Sequence, residues 1–257
     1  MTATEVKSLL SHATNERGVA VFEPPSAFEE FYGRVRNLED RILTDDQVRA
    51  LPDGTGLWNA TEWHIRGASA KRLRVALDER GKTLNILEVG CGNGWLSALL
   101  HRAGHTVVGI DAFTAELQQA ARVFDGPLFA RADLFRSPLP EGRFDVVLFA
   151  ASFQYFPDAA ATIDRSRELL APQGRIHVLD TVLYPDAHEA RSAMDRSDRY
   201  YNELGVPEMA GNYHAHTLSS LEKLGGMQVL STPQKFSRLR TALGMPASPF
   251  THIRFSR

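Results

Sequence analysis

The chain of 257 residues has very little cysteine, since Cys91 stands alone. A single cysteine cannot form an intramolecular disulfide, so the cysteine usage gives no support for an oxidising compartment. Long apolar runs are missing as well, and Met1–Asn15 lacks the basic and then apolar pattern of a secretory signal peptide. We therefore predict a cytoplasmic protein without a membrane-spanning segment.

A strong excess of charge of either sign is also missing, because 29 basic and 31 acidic residues leave a formal net charge of −2. Such a balance offers no general attraction to nucleic acids or to anionic membranes. The hydrophobic fraction of 43% is ordinary for a globular protein with a sizeable core. We expect a small-molecule partner and neither a nucleic acid nor a membrane partner, and the oligomeric state stays open.

Short apolar runs alternate with segments of helical spacing in the middle of the chain. Strands that are apolar on both faces and alternate with helices form parallel sheets covered on both sides. The predicted fold class is therefore α/β, with a doubly wound, mostly parallel sheet of seven strands. The predicted strands are Leu84–Val89, Thr106–Ile110, Leu128–Ala132, Phe144–Ala150, Arg175–Leu179, Met227–Ser231 and Phe250–Phe255.

The two flanks break this rhythm. Residues 1–67 are predicted as an N-terminal helical extension that caps a domain formed by residues 68–257, which begins with a helix over Ala68–Arg80. The mixed stretch Trp58–Arg66 either covers the ligand site, with His64 or Arg66 pointing inward, or packs its tryptophans on the sheet. After the fifth strand, residues 181–216 contain few regular signals and many tyrosine and histidine side chains. An insertion at this point lies above the ligand-binding edge of such a sheet, so we expect a mobile lid.

A glycine-rich turn joins the first predicted strand to a helix. Gly90, Gly92 and Gly94 give the spacing G-x-G-x-G, whereas a dinucleotide pyrophosphate is held by G-x-G-x-x-G. Asp111 ends the next strand, 111 − 88 = 23 positions after Glu88, where an acidic side chain can accept hydrogen bonds from ribose hydroxyls. Both features favour an adenosine-type ligand without a pyrophosphate. They disfavour the rival class, a nicotinamide-dependent oxidoreductase.

Five segments in this order resemble the motifs of class I (Rossmann-like) S-adenosylmethionine-dependent methyltransferases, and the pattern is closest to the small-molecule and quinone-type members. The resemblance implies S-adenosyl-L-methionine as cofactor and S-adenosyl-L-homocysteine as product. It implies methyl transfer to an oxygen, nitrogen or carbon nucleophile of a small organic acceptor. A catalytically silent subunit that binds the cofactor stays open as an alternative. The segments are Ile86–Gly94, Gly109–Asp111, Ala132–Leu134, Phe144–Val147 and Leu169–Arg175.

The resemblance also implies the cofactor ligands. Glu88 would lie near the methionine ammonium, Asp111 would hold the ribose hydroxyls and Asp133 the adenine amino group. Asp133 could instead cap a helix, because aspartate favours that position. Cys91 is predicted as a small buried side chain and not as a nucleophile. The full set of implied cofactor-binding residues is Glu88, Gly90, Gly92, Gly94, Asp111, Ala112, Asp133, Leu134 and Ala151.

The acceptor side rests on the segment that follows the fourth strand and on the insertion. Phe153 and Phe156 are predicted to pack in the core, whereas Gln154 and Tyr155 are predicted to reach the site. The candidate catalytic residues are Tyr155, His214 and His216, of which one would act as a base if the nucleophile is protonated. Two histidines without a cysteine or a carboxylate triad nearby do not make a metal site, so no metal is predicted.

Overall fold

The computed structural model describes residues 13–233 and 248–257. Residues 1–12, which belong to the predicted cap, lie outside these ranges. The strands are β1 (Thr14–Glu16), β2 (Val19–Val21), β3 (Asn85–Val89), β4 (Thr106–Asp111), β5 (Leu128–Arg131), β6 (Phe144–Ala150), β7 (Leu170–Leu179), β8 (Leu183–Tyr184), β9 (His216–Thr217), β10 (Met227–Ser231) and β11 (His252–Ser256). The α-helices are α1 (Ala27–Leu38), α2 (Asp45–Ala50), α3 (Ala60–Asp78), α4 (Trp95–Arg102), α5 (Thr114–Val123), α6 (Ala159–Leu169), α7 (Ala187–Glu203) and α8 (Leu218–Glu222). Within the described ranges no helix is long and apolar enough to cross a bilayer.

One sheet of nine strands in the order β1-β2-β5-β4-β3-β6-β7-β11-β10 forms the centre of the molecule. Strands β2, β5, β4, β3, β6 and β7 are parallel, whereas β1, β11 and β10 pair in antiparallel fashion. The predicted doubly wound α/β fold is confirmed. The predicted count of seven strands is too low, because β1 and β2 add a hairpin at the β5 edge. Strands of three residues are too short to show an alternating pattern in the sequence.

Neighbouring residues of the central strands enter two separate hydrophobic cores. Ile86 of β3 packs on one face of the sheet, and the next residue, Leu87, packs on the other. Both faces are therefore covered, as the apolar strands require. The first face is covered by α3, α4 and α5 and the second by α6 and α8, through Leu73, Leu96, Leu117, Ile163 and Leu221, respectively.

Two flanking segments are more regular than the sequence indicates. Helix α3 begins at Ala60 and not at the predicted Ala68, so it continues through the predicted boundary at residue 67. The insertion contains the long helix α7, which begins where the Asp186 carboxylate accepts the Glu189 backbone N–H at 2.8 Å. The buried side chains of α7 are alanines, whose small apolar surface gives little periodic signal.

Gly94 begins α4 and has a left-handed backbone with φ of 75°. A Cβ atom on this residue would lie 2.6 Å from Cζ of Phe129 and 2.7 Å from Cβ of Ala120. The missing side chain thus lets α4 approach β5 and α5 closely. Gly94 serves the packing of the helix on the sheet.

We expect Gly94→Ala to lower the free energy of unfolding by roughly 2–5 kcal/mol. The left-handed backbone costs about 1–2 kcal/mol with a Cβ, and overpacking adds about 1–3 kcal/mol. Gly104→Ala is the matched control, because Gly104 has φ of 95° with open space around its Cβ position. It should cost only about 1–2 kcal/mol in the same urea titration. Equal losses in the two variants would contradict the packing role of Gly94.

Candidate active site

The chain order reverses at the carboxyl edge of the sheet between β3 and β6. Doubly wound sheets bind ligands in the crevice at this point. A cavity of about 480 Å³ opens there, lined by the ends of β3, β4, β5 and β6 and by side chains of α1 and α3. Its volume lies within the range of about 300–1,000 Å³ that is usual for small-molecule sites.

The glycine turn forms the floor of this cavity. Gly90 and Gly92 both have positive φ angles and line the cavity, and a Cβ on Gly90 would lie 2.4 Å from Cβ of Ser152. Ser152 in turn donates its hydroxyl to the Val89 carbonyl at 2.5 Å. The backbone of the turn is therefore exposed to a ligand at the point where β3 and β6 end.

Asp111 connects the end of β4 to the glycine turn. Its Oδ2 accepts the Gly92 backbone N–H at 2.8 Å, and its Oδ1 accepts the Phe113 backbone N–H at 2.9 Å. Burial raises the pKa of Asp111 to about 6, although these backbone donors oppose the shift. The residue lines the cavity, as does the exposed Ala112 that follows it. Each carboxylate oxygen keeps a lone pair for a further donor such as a hydroxyl group.

Glu88 lies at the bottom of the cavity on β3 and is 2% exposed. Its Oε2 accepts the hydroxyl of Ser97, which is itself fully buried, at 2.5 Å. Burial raises the pKa of Glu88 to about 8. The side chain is therefore mostly protonated at neutral pH.

The other residues that the resemblance implies divide into two groups. Asp133, Leu134 and Ala151 line the cavity together with Glu88 and Asp111, whereas Gly94 does not. Asp133 also caps the turn after β5, since its Oδ1 accepts backbone N–H groups of Phe135 and Arg136 at 2.9 Å. The Asp133 side chain remains one-third exposed, so the capping role leaves a face toward the cavity.

Cys91 is 5% exposed, and burial raises the pKa of its thiol far above the usual value. Its Sγ would lie only 2.8 Å from a Cβ atom on Gly109, so the thiol packs against the bare backbone of that glycine. The thiol fills a gap beside β4 and stays neutral. The prediction of a small buried side chain is confirmed.

Ion pairs on α1, α3 and the α1–α2 loop form a wall of the cavity that the sequence analysis largely missed. Arg36 donates to Glu116 at 2.5 Å, and both side chains are mostly buried. Glu62 accepts hydrogen bonds from Arg41 at 2.9 Å and from Arg66 at 2.7 Å. Except for Glu62 and Arg66, which are four residues apart on α3, the partners are far apart in the sequence, so no local motif shows that they meet.

The stretch Trp58–Arg66 has a divided role. Arg66 and Trp63 line the cavity, and Trp63 packs edge to face on Trp95 with ring centroids 5.8 Å apart. His64 is exposed and does not line the cavity, and Trp58 is 65% exposed. One tryptophan therefore packs as predicted, whereas the other does not pack on the sheet.

The N-terminal cap and the insertion join above the cavity in a third hydrophobic core. Val35 of α1 packs there with Val206 and Met209 of the insertion. Tyr32 and Tyr201, which both line the cavity, pack against the same core. The two segments thus form one cover, which we call the roof.

Tyr155 is the only one of the three candidate catalytic residues that lines the cavity. His214 donates its backbone N–H to the Gln154 carbonyl at 2.8 Å. His216 is buried, with Nε2 3.0 Å from the Phe156 carbonyl and its ring centroid 5.0 Å from that of Phe153. Neither histidine reaches the cavity, so the catalytic role predicted for them has no support in the geometry.

Gln154 and Asp180 stand at the ends of β6 and β7. The Gln154 amide is held on both sides, because it donates to the Ala151 carbonyl at 2.7 Å and accepts the Thr181 hydroxyl at 3.0 Å. Asp180 lines the cavity, is 6% exposed and has a buried Oδ1 without a hydrogen-bond partner in the described part of the chain. Burial raises the pKa of Asp180. The sequence did not indicate a role for Asp180, because no motif marks it.

Residues 87–178 match the family of methyltransferase domains. Nocamycin O-methyltransferase from Saccharothrix syringae is 35% identical over 145 residues, which cover 52% of this chain and 50% of the relative. The 27-O-demethylrifamycin SV methyltransferase from Amycolatopsis mediterranei is 28% identical over 162 residues, which cover 54% of this chain and 60% of the relative. The chain thus spans only about half to three-fifths of the length of these relatives.

The fold is similar to that of solved methyltransferases. The plantazolicin methyltransferase, solved with a pentazolic desmethyl analogue and S-adenosylhomocysteine, has a TM-score of 0.59 and 14% sequence identity. This similarity covers 100% of this chain and 99% of that chain. At such low identity it shows a shared fold alone.

The raised pKa of Glu88 predicts a specific pH dependence of stability. Because the pKa rises from 4.5 to about 8 on folding, the stabilising contribution is fully present below the unfolded pKa and is lost as the pH rises through about 8. Between pH 7 and pH 9 the wild-type protein should lose about 1 kcal/mol more free energy of unfolding than Glu88→Gln. Urea titrations at both pH values measure this difference. The same pH slope in the two proteins would rule out a raised pKa for Glu88.

Proposed function

We propose that this chain, which carries a class I S-adenosylmethionine-dependent methyltransferase domain over residues 87–178, transfers a methyl group to a small organic acceptor. The observation that carries the proposal is the Asp111 carboxylate bonded to the Gly92 backbone at the point where the strand order reverses. This arrangement joins a backbone that a ligand can approach closely to an acceptor for ribose hydroxyls.

The residues present fit an adenosyl cofactor. Carboxylates of Asp111 and Asp133 stand at the ends of the adjacent strands β4 and β5, and we propose that they would hold the ribose and the adenine, respectively. Glu88 and Ala151 then face the methionine end, over β3 and β6. Bound S-adenosylmethionine supplies an activated methyl group on a sulfonium. The residues that we assign to the cofactor are Glu88, Gly90, Gly92, Asp111, Ala112, Asp133, Leu134 and Ala151.

We add Arg66 as a partner for the methionine carboxylate. Its guanidinium lies 5.4 Å from the ring centroid of Trp63, and Trp63 packs on Trp95 at the first residue of α4. Arg66 is thus a cation near the end of the glycine turn. Its ion pair with Glu62 fixes the direction of the guanidinium and leaves other N–H groups of the fork for a second carboxylate.

The acceptor end of the cavity then lies over β6 and β7, beyond the methionine. Gln154 and Tyr155 face it from the segment after β6, and Asp180 faces it from the end of β7. Tyr201 and Tyr213 of the insertion face it from above. Burial raises the pKa of Tyr155, so its phenol stays protonated and can donate a hydrogen bond.

Methyl transfer depends mainly on the alignment of the nucleophile with the methyl carbon. Residues of the sheet edge hold the nucleophile in line with the methyl carbon, and the roof excludes water. A hydroxyl acceptor must also lose its proton, and we propose the Asp180 carboxylate as the group that receives it. An oxygen nucleophile is favoured because the nocamycin relative is an O-methyltransferase by name.

We also propose a division of the chain into a cap of residues 1–67 and a methyltransferase domain of residues 68–257, which are joined by helix α3 and by the pairing of β2 with β5. The contacts between α1 and the insertion support one refinement. The cap and residues 181–216 enclose the acceptor together, because Val35, Val206 and Met209 share one core.

The central test is calorimetry with S-adenosylhomocysteine and with NAD. We expect micromolar binding of the adenosyl ligand and none of NAD. Asp111→Asn should weaken S-adenosylhomocysteine binding about 10- to 100-fold, because it removes the charge from a carboxylate that accepts hydroxyl hydrogen bonds. The matched control is Asp145→Asn, which alters a mostly buried carboxylate that accepts the Asn85 N–H but does not line the cavity. Tight binding of NAD, or equal binding by both variants, would contradict the proposal.

Methyl incorporation from labelled S-adenosylmethionine into small-molecule extracts then identifies an acceptor. With that acceptor, Tyr155→Phe should lower kcat/KM about tenfold, the equivalent of one hydrogen bond. Affinity for S-adenosylhomocysteine should stay within about threefold, because the phenol lies at the acceptor end. Tyr184→Phe changes a tyrosine that does not itself line the cavity, although its hydroxyl bonds that of Tyr213, so it should lower kcat/KM less than Tyr155→Phe does. A loss of cofactor affinity with unchanged acceptor kinetics would place Tyr155 over the adenosyl end instead.

A further inference from the structure

Four exposed apolar or aromatic side chains lie on or next to the segments that border the cavity. We call Leu38, Ile42, Trp58 and Tyr200 the mouth patch. Their exposed fractions are 52%, 59%, 65% and 44%, respectively. Large apolar side chains that gather on a surface and are rimmed by charges mark binding sites more often than scattered ones do.

Two charged residues connect the mouth patch to the cavity. Glu39 and Arg41 line the cavity, and Leu38 and Ile42 are their neighbours in the chain. The Arg41 guanidinium lies 5.5 Å from the ring centroid of Trp58. Trp58 thus contacts a residue of the cavity wall, and Leu38 and Ile42 are next to that wall in the chain.

The same charged residues fix the aromatic members of the patch. Tyr200 donates its hydroxyl to Glu39 at 2.5 Å, and Trp58 donates its indole N–H to the Asp40 carbonyl at 3.1 Å. Arg41 is paired with Glu39 at 2.9 Å and also with Glu62. Glu62 pairs with Arg66 as well, so two carboxylates and two guanidinium groups balance, and the mouth favours an apolar partner over a charged one.

The cavity is also small for a site that must hold both a cofactor and an acceptor. A volume of about 480 Å³ is in the lower part of the range for a site that holds one small molecule. Here the same space must hold an adenosyl cofactor and the reactive end of an acceptor. An acceptor larger than its reactive group must therefore extend through the mouth.

We propose that the mouth patch binds the apolar body of the methyl acceptor, while only its nucleophilic head enters the cavity. This inference rests on the proposed methyl transfer and names the acceptor class: a molecule with a polar, nucleophilic head and an apolar body that stays outside. The ligand is identified by this chemistry alone.

Alkyl gallates test the proposal, because they combine a phenolic head with an apolar chain of chosen length. Calorimetry compares methyl, butyl and octyl gallate on the full chain saturated with S-adenosylhomocysteine. We expect about twofold tighter binding per added methylene, roughly half the effect of complete burial. Octyl gallate should then bind on the order of 100-fold more tightly than methyl gallate.

The variant Ile42→Ser/Trp58→Ser should reduce this ratio to less than about tenfold, because the chain then meets a polar surface. Val75→Ser is the matched control, since Val75 is 64% exposed on α3 and does not line the cavity. It should keep the full ratio. Circular dichroism and S-adenosylhomocysteine affinity verify that both variants remain folded.

Several outcomes would overturn the proposal. These are a ratio near one in the wild-type protein, no detectable binding of octyl gallate, or equal ratios in the patch variant and the control. Light scattering gives another: a dimer that Ile42→Ser/Trp58→Ser converts to a monomer would mean that a second copy covers the patch. In each case intact S-adenosylhomocysteine binding would show that the proposed function itself survives, whereas its loss would count against that function.

Discussion

Asp111 holds together the parts of the site that the sheet alone does not connect. One oxygen of its carboxylate accepts the N–H of Gly92, and the other accepts that of Phe113. The first bond fixes the glycine turn against β4. The second fixes the segment on which the roof docks, because Tyr32 of α1 packs edge to face on Phe113 with centroids 5.5 Å apart. Glu29 of α1 also accepts the Thr114 N–H at 2.7 Å.

This arrangement couples the floor of the cavity to its roof. A carboxylate that is buried with only backbone partners is costly to ionise, and the pKa of about 6 expresses that cost. Hydroxyl donors from a ligand would stabilise the ionised form further. Ligand binding at Asp111 would therefore strengthen the same bonds that position Phe113 and, through it, α1. The Asp111 carboxylate is thus linked to both the floor and the roof of the cavity.

The central sheet was predictable because its physical causes are local. Runs such as Phe144–Ala150 are apolar on both faces, and the glycine spacing marks a turn that a ligand can approach closely. For the same reason the residues of the floor, from Glu88 to Asp133, could be named from the sequence. Gly94 was assigned to the cofactor because the sequence cannot distinguish a glycine that faces a ligand from one that faces Phe129.

The roof and the acceptor end were less predictable because their causes are not local. The bond between Arg36 and Glu116 joins α1 to α5 across 80 residues of sequence. The roof core likewise joins α1 to the insertion. Histidine composition pointed to His214 and His216, but backbone contacts hold both of them outside the cavity. Asp180 lacked a motif, and only its burial without a partner for Oδ1 indicates a role.

The charges at the sheet edge affect whether the site stabilises the transition state more than the ground state. Carboxyl groups follow four of its parallel strands, at Glu88, Asp111, Asp133 and Asp180. A sulfonium loses its positive charge during methyl transfer, so a carboxylate beside the sulfur would stabilise the ground state more than the transition state.

The carboxyl group on β3 differs from an ordinary surface glutamate in its ionisation. Burial raises the pKa of Glu88 to about 8, and the Ser97 hydroxyl occupies one of its oxygens. Before the cofactor arrives, this strand end therefore carries little negative charge at neutral pH. In the proposed arrangement Asp111 and Asp133 lie over β4 and β5, away from the reacting atoms. In the proposed arrangement the sheet edge thus binds the cofactor mainly through its adenosine. The reaction itself then depends on the alignment of the reacting atoms and on the exclusion of water.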